Sequence, residues 1–124
     1  RRLGILFHEI ATSDPAKRIP YMEWAESCVI HDKRRIVTLM LRPLGITCHQ
    51  PSSIAELRSA VRCILTCLQS LHKAGWAHLD LRWKNVVFMS PDEWVVVGAD
   101  RAQPFGSPVP QTDTLRDSGM TVAD

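Results

Sequence analysis

Five polar side chains stand where they could do chemistry together: His78, Asp80, Arg82, Asn85 and Asp100. Four of them fall in "HLDLRWKN", between the glycine of "HKAG" and the apolar run "VVF". Asp100 ends the next apolar run, "WVVVGAD". Asn85 precedes one β-rich run and Asp100 follows the second. If those runs pair antiparallel, the two residues return to the same end. An amide oxygen and a carboxylate are hard donors of the kind Mg²⁺ takes, with substrate phosphates completing its shell. Asp80 can accept the proton of a hydroxyl nucleophile or orient it. Arg82 can neutralise charge on a moving phosphoryl group. The set suits a magnesium–nucleotide site. His78 is favoured as a structural support rather than a catalyst.

The elements that must position this set can be read on either side of it. "QPSSIAELRSAVRCILTCLQSLHKAG" predicts a helix over 54–73, ~30 Å long. Ser53 and Glu56 fit a capping box. Leu57, Val61, Ile64, Leu68 and Leu71 recur at helical spacing, with Ala60 and Cys67 beside them, so this face is expected to be core. His72 and Lys73 suit the negative end of the dipole, and Gly75 sits where a glycine stop belongs. Runs at 86–89 and 94–97 bracket the turn residues "SPDE" and predict a hairpin. A second hairpin is predicted at 24–31 and 35–41, ended by Pro43, which has no N–H to donate. Residues 1–12 could form a short helix and 12–20 a loop. From Arg101 onward the chain is rich in Pro, Gly, Ser, Thr and Asp, which predicts an extended loop or disorder.

Composition bounds the rest. The chain has 124 residues, 45% hydrophobic and 23% charged, which is ordinary globular usage for one modest domain. Fifteen basic and 13 acidic residues leave a formal charge of +2, and the basic residues are scattered. Neither nucleic acid nor a membrane surface is expected as a partner. No apolar run approaches the ~20 residues that span a bilayer. Cys28, Cys48, Cys63 and Cys67 include no C-x-x-C pair and complete no metal set. They are expected to be buried free thiols in a reducing, intracellular compartment.

The constellation resembles the eukaryotic protein kinase fold. "HLDLRWKN" is similar to the family's catalytic loop, H-R-D-L-x-x-x-N. The resemblance makes Asp80 the catalytic base, Arg82 a phosphate-contacting cation, Asn85 a Mg²⁺ ligand and Asp100 the aspartate of the D-F-G metal motif. "RRIVTLMLRPLG" resembles the last small-lobe strand running into the hinge. That implies adenine contacts from the backbone at Leu41, Arg42 and Leu44. The whole pattern is particularly like kinase-like domains of oomycetes and fungi, some linked to secreted crinkler-type effectors, and host-cell delivery follows as a possibility. The implied architecture is α+β and a partial kinase-like fold: end of the small lobe, hinge, long helix, catalytic loop and metal-site hairpin. It would fill residues 1–103, with 104–124 as an activation-segment-like loop or tail.

Departures from the pattern shape the functional expectation. Leu79 replaces the arginine that contacts a phosphorylated activation loop, so that mode of regulation is expected to be absent. Arg101-Ala102 replace the Phe-Gly that follows the metal aspartate. The sequence contains no G-x-G-x-x-G loop, V-A-I-K lysine or A-P-E motif, although Glu9 could lie on a remnant of the regulatory helix. The leading expectation is a fragment of an ATP- and Mg²⁺-dependent protein kinase domain transferring phosphate to Ser/Thr hydroxyls. The isolated chain should turn over little, because phosphoryl transfer needs positioning from several parts at once. A pseudokinase or remnant binding module is the alternative, and small-molecule phosphotransfer a minor one. The protein substrate is not legible.

Overall fold

Helix α1 spans Ile54–Lys73, as the periodicity predicts, and both its ends are closed. The Ser53 side chain accepts the Glu56 N–H at 3.1 Å. The Glu56 carboxylate reaches one residue further back than a capping box requires. It accepts the Ser52 N–H at 2.8 Å and also the Ser52 hydroxyl. At the other end the Gly75 N–H bonds the His72 carbonyl at 2.9 Å. Gly75 has φ +88, the left-handed stop that glycine takes without a Cβ penalty. The structure, a computed structural model, describes residues 14–106 apart from Arg35 and the side chains of Cys28, Val37 and Leu39. The short helix expected over 1–12, Glu9 with it, lies outside the described residues, as does most of the tail expected from 104.

Three antiparallel strand pairs surround α1. Strands β1 (Trp24–His31) and β2 (Ile36–Arg42) form the first hairpin, with a bulge at Glu26. The bulge brings the Glu26 carboxylate to Arg42 at 3.2 Å. After α1, the two-residue strand β3 (Trp76–Ala77) leads into the polar loop. Strands β4 (Val86–Ser90) and β5 (Glu93–Val96) then form the second hairpin, Val86 opposite Val96. Finally β6 (Gln103–Pro104) returns to pair with β3. This corrects the expectation of a loose chain from Arg101. Ala102 and Gln103 are buried, and the Phe105 N–H bonds the Gly75 carbonyl at 2.8 Å. Backbone pairing orders this stretch where its composition suggests a loop.

The buried face of α1 is turned from the one periodicity suggests. Ala60, Cys63, Cys67 and Leu71 are buried, whereas Leu57 and Val61 are each 43% exposed. Small residues face β5 because the hairpin brings Trp94, fully buried, against them. Its indole meets Phe88 edge-on at 5.0 Å and donates to the Pro91 carbonyl at 3.2 Å. A bulky aromatic across from Ala and Cys fills the layer, and this complementarity selects the face. The second part of the core joins Met22, Leu71, Trp76, Val96 and Ala99, with Leu41 packed against it. Two bonds tie the first hairpin to the second. The Glu23 N–H donates to the Val96 carbonyl at 2.9 Å and the Val96 N–H to the Tyr21 carbonyl at 2.8 Å. Two close approaches need glycine. A Cβ on Gly45 would meet Val87 Cγ1 at 2.4 Å, so only glycine lets residues 43–46 lie on β4. The second is Gly98, at the site itself. Among the described residues no helix is long and apolar enough to cross a membrane.

Candidate functional site

The polar loop runs from the end of β3 to the start of β4, and its geometry is set from inside. Leu79 takes φ +67, a strained conformation for a leucine that persists only where its surroundings impose it. His78 supplies part of that constraint. Its Nε2 lies 2.8 Å from the Val97 carbonyl, and its Nδ1 accepts the Asp80 N–H at 3.1 Å. The ring therefore carries its proton on Nε2 and joins the loop to the end of β5. Burial lowers its pKa, against the opposing pull of the Val97 bond and the Asp80 and Asp100 charges. His78 has the supporting place expected of it, 2% exposed and fully used.

Asp80 and Asn85 are both buried and joined to each other. The Asn85 Nδ2 donates to the Asp80 carbonyl at 2.8 Å and to Asp80 Oδ2 at 3.0 Å. With both amide hydrogens used, the whole amide lies against Gly98, whose hypothetical Cβ would lie 2.5 Å from Cγ and Oδ1 and 2.7 Å from Nδ2. Gly98 has φ +72, so the turn needs glycine for two reasons. Main-chain bonds brace the same corner: the Asn85 N–H to the Arg82 carbonyl at 2.8 Å, and the Val97 N–H to the Asn85 carbonyl at 2.8 Å. Arg82 Nε lies 3.0 Å from Asp80 Oδ1, an ion pair without an aligned hydrogen bond.

Asp100 sits on the short 3₁₀ turn Ala99–Arg101 beyond β5 and is exposed. Its charge reaches both His78 and Glu23. The second hairpin thus returns Asp100 to the corner that holds Asp80 and Asn85, as antiparallel pairing implies. Asn85 Oδ1 and the Asp100 carboxylate are oxygen donors of the type Mg²⁺ takes. Among the described residues, no cluster of three or more His, Cys, Asp or Glu could hold a metal by itself.

The hinge candidates stand apart from this corner. Leu41 and Arg42 close β2, opposite Ala25 and Trp24, and Leu44 is 75% exposed in the segment that follows. Leu41 packs against the core cluster that includes Val96 and Ala99. Arg42 is engaged with Glu26. Three cysteines lie among the described side chains. Cys63 and Cys67 are buried as expected, while Cys48 is exposed, which corrects the expectation for that residue. Burial pushes the Cys67 thiol up to about 12.

One residue of the site was missed in the sequence: Glu23. It is buried at 6% exposure, and its Oε1 accepts the Ala99 N–H at 2.9 Å. A lone acid at the edge of a strand looks like a solvent-facing position, and its only signal was the apolar residue on either side, Met22 and Trp24.

No known family model matches the chain. Over 67 residues, 52% of the chain, it is 42% identical to Crinkler effector protein 8 of Phytophthora infestans. The match spans 11% of that protein's length.

Proposed function

We propose that this chain carries the catalytic and metal-binding core of an ATP-dependent protein kinase that phosphorylates Ser/Thr hydroxyls. The observation that carries the reading is the Asp80–Asn85 pair. One carboxylate and one amide are locked together in a buried corner, with the amide packed against Gly98, two residues before Asp100. In this reading Asp80 orients the acceptor hydroxyl and takes its proton. Arg82 swings from Asp80 to the transferring phosphoryl group. Asn85 and Asp100 hold Mg²⁺, which when bound supplies charge neutralisation for the phosphates. The backbone of Leu41, Arg42 and Leu44 receives adenine. The test is the full-length protein with Mg-ATP and a generic protein substrate. Asp80→Asn should lower turnover by about 10²–10⁴-fold, the usual contribution of a general base. Full activity in that variant removes the role assigned to Asp80.

A nucleotide-binding module without turnover is favoured by one observation. Both Asp80 oxygens are already engaged, Oδ2 with Asn85 and Oδ1 with Arg82. Thermal shift with Mg-ATP, joined to a turnover assay, separates the two readings: binding without phosphate transfer supports the module. The likeness to an oomycete effector extends the proposal to place of action, delivery into a host cell. A tagged protein that stays with the secreting organism during infection refutes that extension.

A further inference from the structure

Glu23 is a carboxylate placed inside a hydrophobic core. Met22, Ala25 and Ala99 around it are all buried. Among the described residues no lysine, arginine or histidine forms an ion pair with it. Its hydrogen-bond partner is a main-chain N–H group, that of Ala99 at 2.9 Å. Ala99 precedes Asp100 directly, and the 3₁₀ turn there has no side-chain cap of its own. An apolar residue would pack as well at this position. Only an acceptor can hold the Ala99 N–H, and leaving it buried and unmade is unfavourable.

The backbone that carries Glu23 is itself constrained. Tyr21 takes φ 55, which is rare for a bulky residue. The stretch from Tyr21 to Glu23 is zipped to Val96 by two hydrogen bonds of 2.8 and 2.9 Å. Glu23 is thus fixed to β5 through its backbone and to the following turn through its side chain. Strain held by over-determined surroundings is what a positioning element shows.

The geometry points to Glu23 as a positioning residue: by holding Ala99 it sets where the Asp100 carboxylate stands relative to Asn85. The role rests on reading Asp80, Asn85 and Asp100 as the nucleotide–metal corner. Glu23 touches neither substrate nor metal. It acts through the turn.

The test compares Glu23→Leu, which removes the acceptors and keeps the core filled, with Glu23→Gln, which keeps an oxygen where Oε1 stands. Site-resolved amide exchange is measured on the full protein. In the unaltered chain the Ala99 amide should exchange as slowly as that of Val96, and fast exchange there overturns the proposal without any variant. In Glu23→Leu the Ala99 amide should exchange about ten-fold faster or more, as loss of one buried hydrogen bond implies, with Val96 unchanged. Glu23→Gln should restore most of the protection. Mn²⁺·ATP affinity, read by calorimetry, should fall by about ten-fold in Glu23→Leu. That loss should vanish in an Asp100→Asn background, since both changes act on one ligand. Unchanged Ala99 exchange in Glu23→Leu, or unchanged Mn²⁺·ATP affinity, overturns the role. Equal losses in Glu23→Gln and Glu23→Leu assign the effect to charge and overturn it too. A wild-type protein that binds no Mn²⁺·ATP overturns the nucleotide-site reading, and Ala99 exchange still decides whether Glu23 holds the turn.

Discussion

Gly98→Ala is the most informative single change at the candidate site. The added Cβ would lie 2.5 Å from Asn85 Cγ, 2.5 Å from Oδ1 and 2.7 Å from Nδ2. No rotation of an amide clears all three contacts, so Asn85 must move. The backbone cost at φ +72 is about 1–2 kcal/mol for an L residue. Forcing a methyl into a packed corner adds about 1–3 kcal/mol. The sum, roughly 2–5 kcal/mol, lowers the melting temperature by roughly 8–20 °C at about 4 °C per kcal/mol. Gly75→Ala is the control, because φ is +88 there and nothing lies within 4 Å of the added Cβ. It should cost only the backbone portion, about 1–2 kcal/mol. Both are read by urea unfolding. In Asn85→Ala the clash partner is gone, so Gly98→Ala should become about 1 kcal/mol or more less harmful. If Gly98→Ala costs no more than Gly75→Ala, the tight contact between the turn and Asn85 is refuted.

Other expectations are simpler to check. Leu71→Ala should cost about 2–5 kcal/mol in chemical unfolding and Leu57→Ala within about 0.5 kcal/mol, because only Leu71 is fully buried. Comparably large costs at both would mean that α1 buries the whole face periodicity suggests. Alkylation followed by mass spectrometry should label Cys48 in the native protein and spare Cys63 and Cys67 until unfolding, since Cys48 is exposed and the other two are buried. The buried His78 has a pKa below its unfolded value of 6.5. The unfolded chain then binds more protons below that pH, so His78 contributes stability that is present above 6.5 and lost as pH falls through the folded pKa. Melting temperature followed against pH should decline on acidification with a smaller slope in His78→Gln. Ser53→Ala should cost about 1 kcal/mol of stability through its lost cap, seen in the same unfolding assay.

Local signals were legible where one stretch of chain contains its own cause. Helix α1 begins at a serine that caps it and ends at a glycine that can turn left-handed. The turn residues of "SPDE" lie between two β-rich runs and predict β4–β5. That hairpin in turn returns Asp100 toward Asp80 and Asn85. Glu56 shows the limit of even local reading, since its carboxylate takes Ser52 rather than the cap residue. Both partners lie within reach, and the path of the chain entering the helix selects between them.

The sequence alone determined which residues could do chemistry and which elements carry them, because side-chain type, hydrophobic period and turn chemistry act within a few neighbours. Tertiary structure decided three things that depend on residues far apart in the chain. It turned α1 so that Ala60 and Cys63 meet Trp94 while Leu57 and Val61 stay exposed, because the bulky indole packs against small side chains. It ordered Gln103–Pro104 by pairing with Trp76–Ala77, against a composition that suggests a loop. And it placed Glu23 against Ala99, across 76 positions of sequence, where a buried carboxylate has a main-chain N–H group to bind. Long-range hydrogen bonds and packing complementarity leave no local periodicity, so they could be seen only once the chain was folded.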